Sequence, residues 1–87
     1  MIVTREMVAD KLAGYLHHEV SLEALVDWAE LAMMAGAFQG EKAEEARDVV
    51  ARLGVPDVRA FGLTWEDCEK FLRKLGYSVH LDVAIEA

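Results

Sequence analysis

The 87-residue sequence has little cysteine, little proline and little positive charge. Its single cysteine, Cys68, cannot form an intramolecular disulfide, which excludes a disulfide-stapled secreted scaffold. One proline and 54% apolar residues exclude a disordered or low-complexity segment, because such segments contain too little apolar surface to form a core. We therefore expect one folded domain that spans residues 1–87.

Long hydrophobic runs are also absent. The longest stretch without a charged residue, Leu31 to Gly40, has ten residues, whereas a membrane-spanning helix needs about 20. The first residues lack the basic segment and apolar run of a secretory signal. These features predict a cytoplasmic protein that does not enter a membrane.

Positive charge is scarce: nine Lys and Arg residues against 16 Asp and Glu residues give a formal net charge of −7. Nucleic-acid binding needs clustered cations, and the only basic group is Lys70, Arg73 and Lys74, whose place at the end of a predicted helix is explained by the helix dipole. The sequence contains no phosphate-binding glycine loop and no nucleophile motif. We expect no enzymatic activity, no cofactor, no bound metal and no nucleic-acid partner.

Helix caps and apolar spacing predict four helices. Thr4 and Ser21 are typical caps of the first two, Gly54 with Pro56 stops the third, and Thr64 opens the last with a capping box. The predicted helices cover about residues 5–17, 22–35, 41–53 and 65–75, with one further turn at residues 56–61.

The last residues change period. From Tyr77 to Ile85, apolar residues alternate with residues that are mostly polar, which is typical of a half-buried strand. We expect its pairing edge to include Tyr77, Val79, His80, Leu81 and Val83. Because a lone strand cannot satisfy its backbone groups, we expect it to pair with residues 1–3, with a second copy in a homodimer, or with another protein. The predicted fold class is mainly α: a small four-helix bundle-like domain with one C-terminal β-strand.

A row of carboxylates accompanies the second helix. Glu19, Glu23, Asp27 and Glu30 recur at i, i+4, i+8 and i+11, and no Lys or Arg lies between Leu12 and Glu41. If the helix extends back by one turn past Ser21, the four form one stripe opposite its apolar face. The stripe is either charge that keeps the surface soluble or a surface that steers a basic protein partner.

Trp28 lies beside this stripe, toward the edge of the predicted apolar face, together with Leu31. An aromatic residue surrounded by carboxylates is a common composition for a protein-binding site, although a tryptophan packed at the core edge has the same pattern. We therefore assign partner binding to Glu19, Glu23, Asp27, Trp28 and Glu30.

His17, His18 and Glu19 form the other eye-catching group. Adjacent histidines cannot share one helix face, whereas metal-binding pairs sit at i, i+3 or i+4. A histidine in the last turn of a helix is also stabilised by the helix dipole. A small metal-binding protein or enzyme built around these residues is kept as the alternative function.

Length, acidity, short capped helices and the segment Val20-Ser21-Leu22-Glu23-Ala24-Leu25-Val26-Asp27-Trp28 together resemble the small immunity proteins that neutralise colicin-type toxins. Those families are mostly helical bundles, and the alternating C-terminal segment departs from their pattern. The resemblance implies a non-enzymatic acidic module that neutralises or regulates a basic partner. An antitoxin-like regulator fits the same features.

Overall fold

A computed structural model describes residues 1–79. The elements in chain order are β1 (Ile2–Val3), α1 (Arg5–Leu16), α2 (Leu22–Ala35), β2 (Ala37–Phe38), α3 (Ala43–Leu53), α4 (Pro56–Phe61) and α5 (Trp65–Lys74). The chain is mainly helical, as predicted. Residues 1–79 contain five helices, however, and the prediction of a four-helix bundle is not confirmed.

Three helices begin at the caps that the sequence predicts. The hydroxyl of Thr4 accepts the N–H of Met7 at 3.3 Å, and that of Ser21 accepts the N–H of Ala24 at 3.1 Å. At α5, Thr64 and Asp67 accept each other's backbone N–H groups at 3.1 and 3.0 Å, which completes the capping box. The local sequence therefore determines where these helices start.

A tight connection separates α1 from α2. His18 adopts a left-handed φ of 62°, and the N–H groups of Glu19 and Val20 both donate to the carbonyl of Gly14. Because α2 then starts after its cap at Ser21, Glu19 lies in the connection. The hypothesis that the second helix extends back past Ser21 is thus wrong. The four carboxylates do not lie on one continuous helix.

The sheet joins the N-terminus to the end of α2. β1 and β2 are parallel, with Ile2 opposite Ala37 and Val3 opposite Phe38. The sequence predicted a loop where β2 lies, and it named residues 1–3 as a possible partner of the C-terminal strand. The pairing seen within residues 1–79 is instead between β1 and β2, two-residue strands too short for any alternating pattern to reveal.

The predicted C-terminal strand begins within the described residues but has no strand structure there. Tyr77 donates its N–H to the carbonyl of Leu72 at 2.9 Å, and Tyr77 to Val79 lie outside helices and strands. His80, Leu81 and Val83 lie outside the described residues. Pairing of that strand with another chain stays a prediction.

Arg5 ties the start of α1 to the end of α5. Its guanidinium donates to the carbonyl of Leu75 at 3.0 Å and to the Glu41 carboxylate at 3.2 Å, and it lies 5.6 Å from the centre of the Tyr77 ring. One side chain therefore joins three segments that are far apart in sequence.

The core lies where α1, α2, α3 and α5 meet. It contains Val3, Val8, Leu12, Leu25, Ala29, Ala32, Ala46, Val49, Val50, Leu53, Cys68, Leu72 and Leu75. No polar or charged residue is buried among residues 1–79. In this part of the chain, no helix has the length and apolar character needed to cross a membrane.

Two glycines end helices with similar φ values but in different surroundings. A Cβ on Gly36, which ends α2, would overlap the carbonyl oxygen of Ala32 and lie 2.9 Å from Val3 Cγ2. A Cβ on Gly54, which ends α3, would meet its nearest atom at 3.7 Å. Of these two glycines, only Gly36 is required by a close approach, the contact of Val3 in β1 with the end of α2.

We therefore expect Gly36→Ala to lower the free energy of unfolding by about 1–3 kcal/mol, the usual cost of an added group in a packed site. Gly54→Ala is the matched control and should leave stability unchanged or raise it by up to about 1 kcal/mol, since it reduces the freedom of the unfolded chain. Urea unfolding measures both. Equal losses in the two variants would contradict the role given to Gly36.

Candidate binding surface on helix α2

Helix α2 exposes one face that is both acidic and apolar. Asp27, Leu31 and Met34 follow each other at i, i+4 and i+7, and the spacing places Glu23 and Glu30 on the same side. We call these five residues the α2 face. Leu31 is 52% exposed and Met34 is 86% exposed, so the two largest apolar side chains of this face remain in water.

The reason for this exposure is that α2 is apolar on more than one side. Leu25, Val26, Ala29 and Ala32 are buried and use the side of the helix that faces the core. Leu31 and Met34 cannot reach that side from their positions in the helix. The helix has more apolar side chains than its core-facing side can bury, so some of them stay at the surface.

Arg59, on α4, partly neutralises the α2 face. Its guanidinium contacts the carboxylate of Asp27 at 2.8 Å and that of Glu30 at 3.4 Å. These contacts, chiefly the hydrogen bond to Asp27, raise the pKa of Arg59 above its ordinary value. Although no Lys or Arg lies near Asp27 and Glu30 in the sequence, the fold therefore supplies both with a cation. One arginine still faces three carboxylates when Glu23 is included, so the face stays negative.

Trp28 lies at the edge of the core, which is one of the two positions that its place in the sequence allowed. It is half-buried and packs against the core, and the Lys11 ammonium lies 5.5 Å from the centre of its ring. The tryptophan is thus covered by a cation from α1. The structure brings Glu23, Asp27 and Glu30 together on one helix, but Glu19 lies in the preceding connection and Trp28 turns toward α1.

A shallow cleft of about 350 Å³ adjoins the α2 face. Its walls are Glu30, Met33, Met34, Ala51 and Gly54, so α2 supplies one side and the end of α3 the other. Methionine side chains are flexible and adapt to differently shaped ligands. The cleft therefore leaves room, beside the exposed methionines, for an apolar group of another molecule.

The residues of the alternative function are not brought together. His17, His18 and Glu19 are all exposed, and His18 has the left-handed backbone described above. Within residues 1–79, no group of three or more His, Cys, Asp or Glu side chains is arranged to hold a metal ion. The described part of the chain gives this cluster no built site.

Cys68 is buried in the core, where it packs as a small apolar side chain. Burial, helped by the negative charge of Asp67, raises the pKa of the thiol to about 11. The thiol is therefore protonated at neutral pH. A nucleophilic cysteine needs the opposite environment, exposed and electropositive.

The sequence pattern did not reveal two residues that shape the surface around the α2 face, Met34 and Arg59. Met34 was not singled out because it follows Met33 in an apolar run where either residue could be buried. Arg59 lies 32 residues from Asp27, and no local pattern reveals such a contact. Leu31 was placed near the edge of the apolar face, and its exposure agrees with that position.

No protein family, curated protein or solved structure matches this sequence.

We expect Cys68 to react slowly with iodoacetamide at neutral pH in the folded protein and rapidly in denaturant, since the thiol is inaccessible and protonated. The raised pKa also predicts pH dependence: the protonated thiol stabilises the fold below about pH 9, and this contribution is lost as pH rises through about 11. The free energy of unfolding, measured with urea across this pH range, should fall less steeply with rising pH in Cys68→Ala than in the unaltered chain. Fast alkylation of the folded chain would contradict this placement.

The bridge formed by Arg59 predicts coupling across α2 and α4. Asp27→Asn and Arg59→Gln should each lower the melting temperature slightly, and the double variant should lower it by less than both losses together. The coupling should shrink in high salt because the groups are exposed. Arg47→Gln, an exposed arginine on α3, serves as the control in combination with Asp27→Asn. Fully additive losses for Asp27 and Arg59 would show that the two side chains do not interact in solution.

Proposed function

We propose that this chain is a non-enzymatic protein-binding module that neutralises or regulates a basic partner, in the manner of an immunity protein or an antitoxin. The observation that carries the proposal is the α2 face, where exposed Leu31 and Met34 stand among carboxylates. Protein interfaces commonly combine an apolar centre with a charged rim. This surface has both components on one rigid element.

The charge of the molecule supports a basic partner. The net charge of −7 attracts a cationic protein over long distances, and the carboxylates of the α2 face focus that attraction next to the apolar contacts. Arg59 forms ion pairs with Asp27 and Glu30. A Lys or Arg of the partner would share or replace it, and Glu23 offers a further carboxylate on the same face.

The remaining features agree with a binding role. The chain has no catalytic sequence motif, and its single thiol is buried and protonated. We propose a cytoplasmic location because the only cysteine is an unpaired thiol that packs within the core, which suits a reducing compartment.

The test begins with immobilised protein and the identification of what it retains. Association with that partner is then measured by surface plasmon resonance at several salt concentrations. The combined substitution Glu23→Gln, Asp27→Asn and Glu30→Gln should slow association about tenfold at low salt and flatten its salt dependence, because exposed charges act mainly through steering. Leu31→Ser with Met34→Ser should instead speed dissociation about tenfold, through lost apolar contact.

Glu44→Gln is the control variant, since Glu44 is an exposed glutamate on α3. It should leave both rates unchanged within a factor of about two. Circular dichroism checks that every variant keeps its helical content. Unchanged rates for both α2 variants would refute the assignment of binding to the α2 face.

A further inference from the structure

Exposed apolar residues are concentrated at the C-terminal end of α2. Leu31, Met33 and Met34 lie in the last turns of this helix, and all three are exposed. Ile2 is 56% exposed, and its pairing with Ala37 holds it beside the same end of the helix. This end of α2 is therefore an apolar surface that the rest of residues 1–79 does not cover.

The carboxylates of the α2 face lie toward the other end of the helix. Glu23 is in the first turn and Asp27 in the second, whereas Leu31 and Met34 follow in the third and fourth. Glu30 stands where the two groups meet. The α2 face is thus acidic in its first half and apolar in its second, along an axis of about 17 Å from Glu23 to Met34.

Nearby cations do not cancel the acidic half. Among residues 1–79, Arg59 is the only Lys or Arg within 4.0 Å of a carboxylate of the α2 face. One guanidinium against three carboxylates leaves two negative charges in excess. On α3, which forms the other wall of the cleft beside the α2 face, Arg47 and Glu44 lie one and two turns before Ala51, and their opposite charges offset each other.

The shape of this surface favours a bound helix over an extended segment. The backbone N–H and C=O groups of α2 are used within the helix, so α2 offers no free edge to which a strand could add. The cleft also runs between two helices, with Met33 on α2 and Ala51 on α3 in its walls. A helix satisfies its own backbone groups, and its side chains recur every three or four residues, as those of Asp27, Leu31 and Met34 do.

We propose that the α2 face binds an amphipathic helix of the basic partner, which carries Lys or Arg in one half of its bound side and Leu, Met or Phe in the other. The cations lie against Glu23 and Asp27, and an apolar side chain enters the cleft between Met34 and Ala51. This inference rests on the proposed function. It adds the kind of segment that is bound and the order in which its charged and apolar residues follow each other.

The probes are two synthetic helical peptides of about 14 residues, or four turns. Both carry equal numbers of Leu and Lys on one side of the helix, with Ala and Gln elsewhere. In the block peptide all leucines precede all lysines, and in the mixed peptide the two alternate at the same positions. The peptides therefore share composition, net charge and apolar area, and they differ only in the order of these residues.

Each peptide is titrated into the ¹⁵N-labelled full chain, and amide shifts are followed by NMR. The block peptide should shift amides of α2 and of the segment from Ala51 to Gly54. It should bind at least about fivefold more tightly than the mixed peptide, because only its order places cations against carboxylates and leucines against apolar side chains. In the Leu31→Ser, Met34→Ser variant, this preference should fall below about twofold, since both peptides then bind by charge alone.

Ala51→Gln tests the cleft itself. The longer uncharged side chain occupies the cleft and should weaken binding of the block peptide at least about threefold. Ala60→Gln is the matched control, because Ala60 is an exposed alanine on α4 that does not line this cleft, and it should leave the affinity unchanged. An unchanged affinity in Ala51→Gln would overturn the placement of an apolar side chain there.

Equal affinities of the two peptides for the unaltered chain would overturn the inference, as would the absence of shifts with the block peptide. Concentration-dependent shifts of the same amides without peptide would overturn it in favour of a second copy of this chain. These outcomes are separate from the failure of the proposed function, which shows as unchanged association and dissociation rates of the retained partner in both α2 variants.

Discussion

The packing of α2 against the rest of the molecule is the constraint on which the other features depend. Leu25, Val26, Ala29 and Ala32 bury one side of this helix, and small alanines allow the neighbouring elements to approach. Gly36 then lets β1 lie against the end of the helix, with Val3 in the core. Because only one side can be buried, the remaining apolar residues of α2 are held in water beside carboxylates.

The same packing decides the charge distribution. α4 follows α3 after a two-residue turn and lies along α2, which places Arg59 between Asp27 and Glu30. Phe61, two residues later on α4, is left exposed and lines a cleft on the side of α5. The short helix α4 thus affects two parts of the surface: Arg59 moderates the negative charge of the α2 face, and Phe61 stays exposed on the side of α5.

Features set by neighbouring residues were predicted well. The starts of α1, α2 and α5 depend on hydrogen bonds over three residues, and Thr4, Ser21 and Thr64 are visible in the sequence as caps. The turn of helix at Pro56–Phe61 also follows from a proline and a glycine at its ends. The two strands could not be predicted from the sequence, since each contains two residues and their pairing spans 35 positions. The four-helix prediction treated this turn as an addition to the bundle, whereas α4 is one of five helices in residues 1–79 and buries Val58.

The carboxylates at Glu23, Asp27 and Glu30 and the starts of α1, α2 and α5 were determined by the sequence alone, because periodicity and caps depend on residues within a few positions of each other. The start of α3 was not, since it begins at Ala43 after a left-handed Lys42 that makes no side-chain cap. Only the tertiary structure decided which carboxylates remain free, since Arg59 reaches Asp27 across 32 residues. It also decided that Leu31, Met34 and Phe61 stay in water. Exposure and charge pairing depend on how separate helices pack, and no local pattern encodes that geometry.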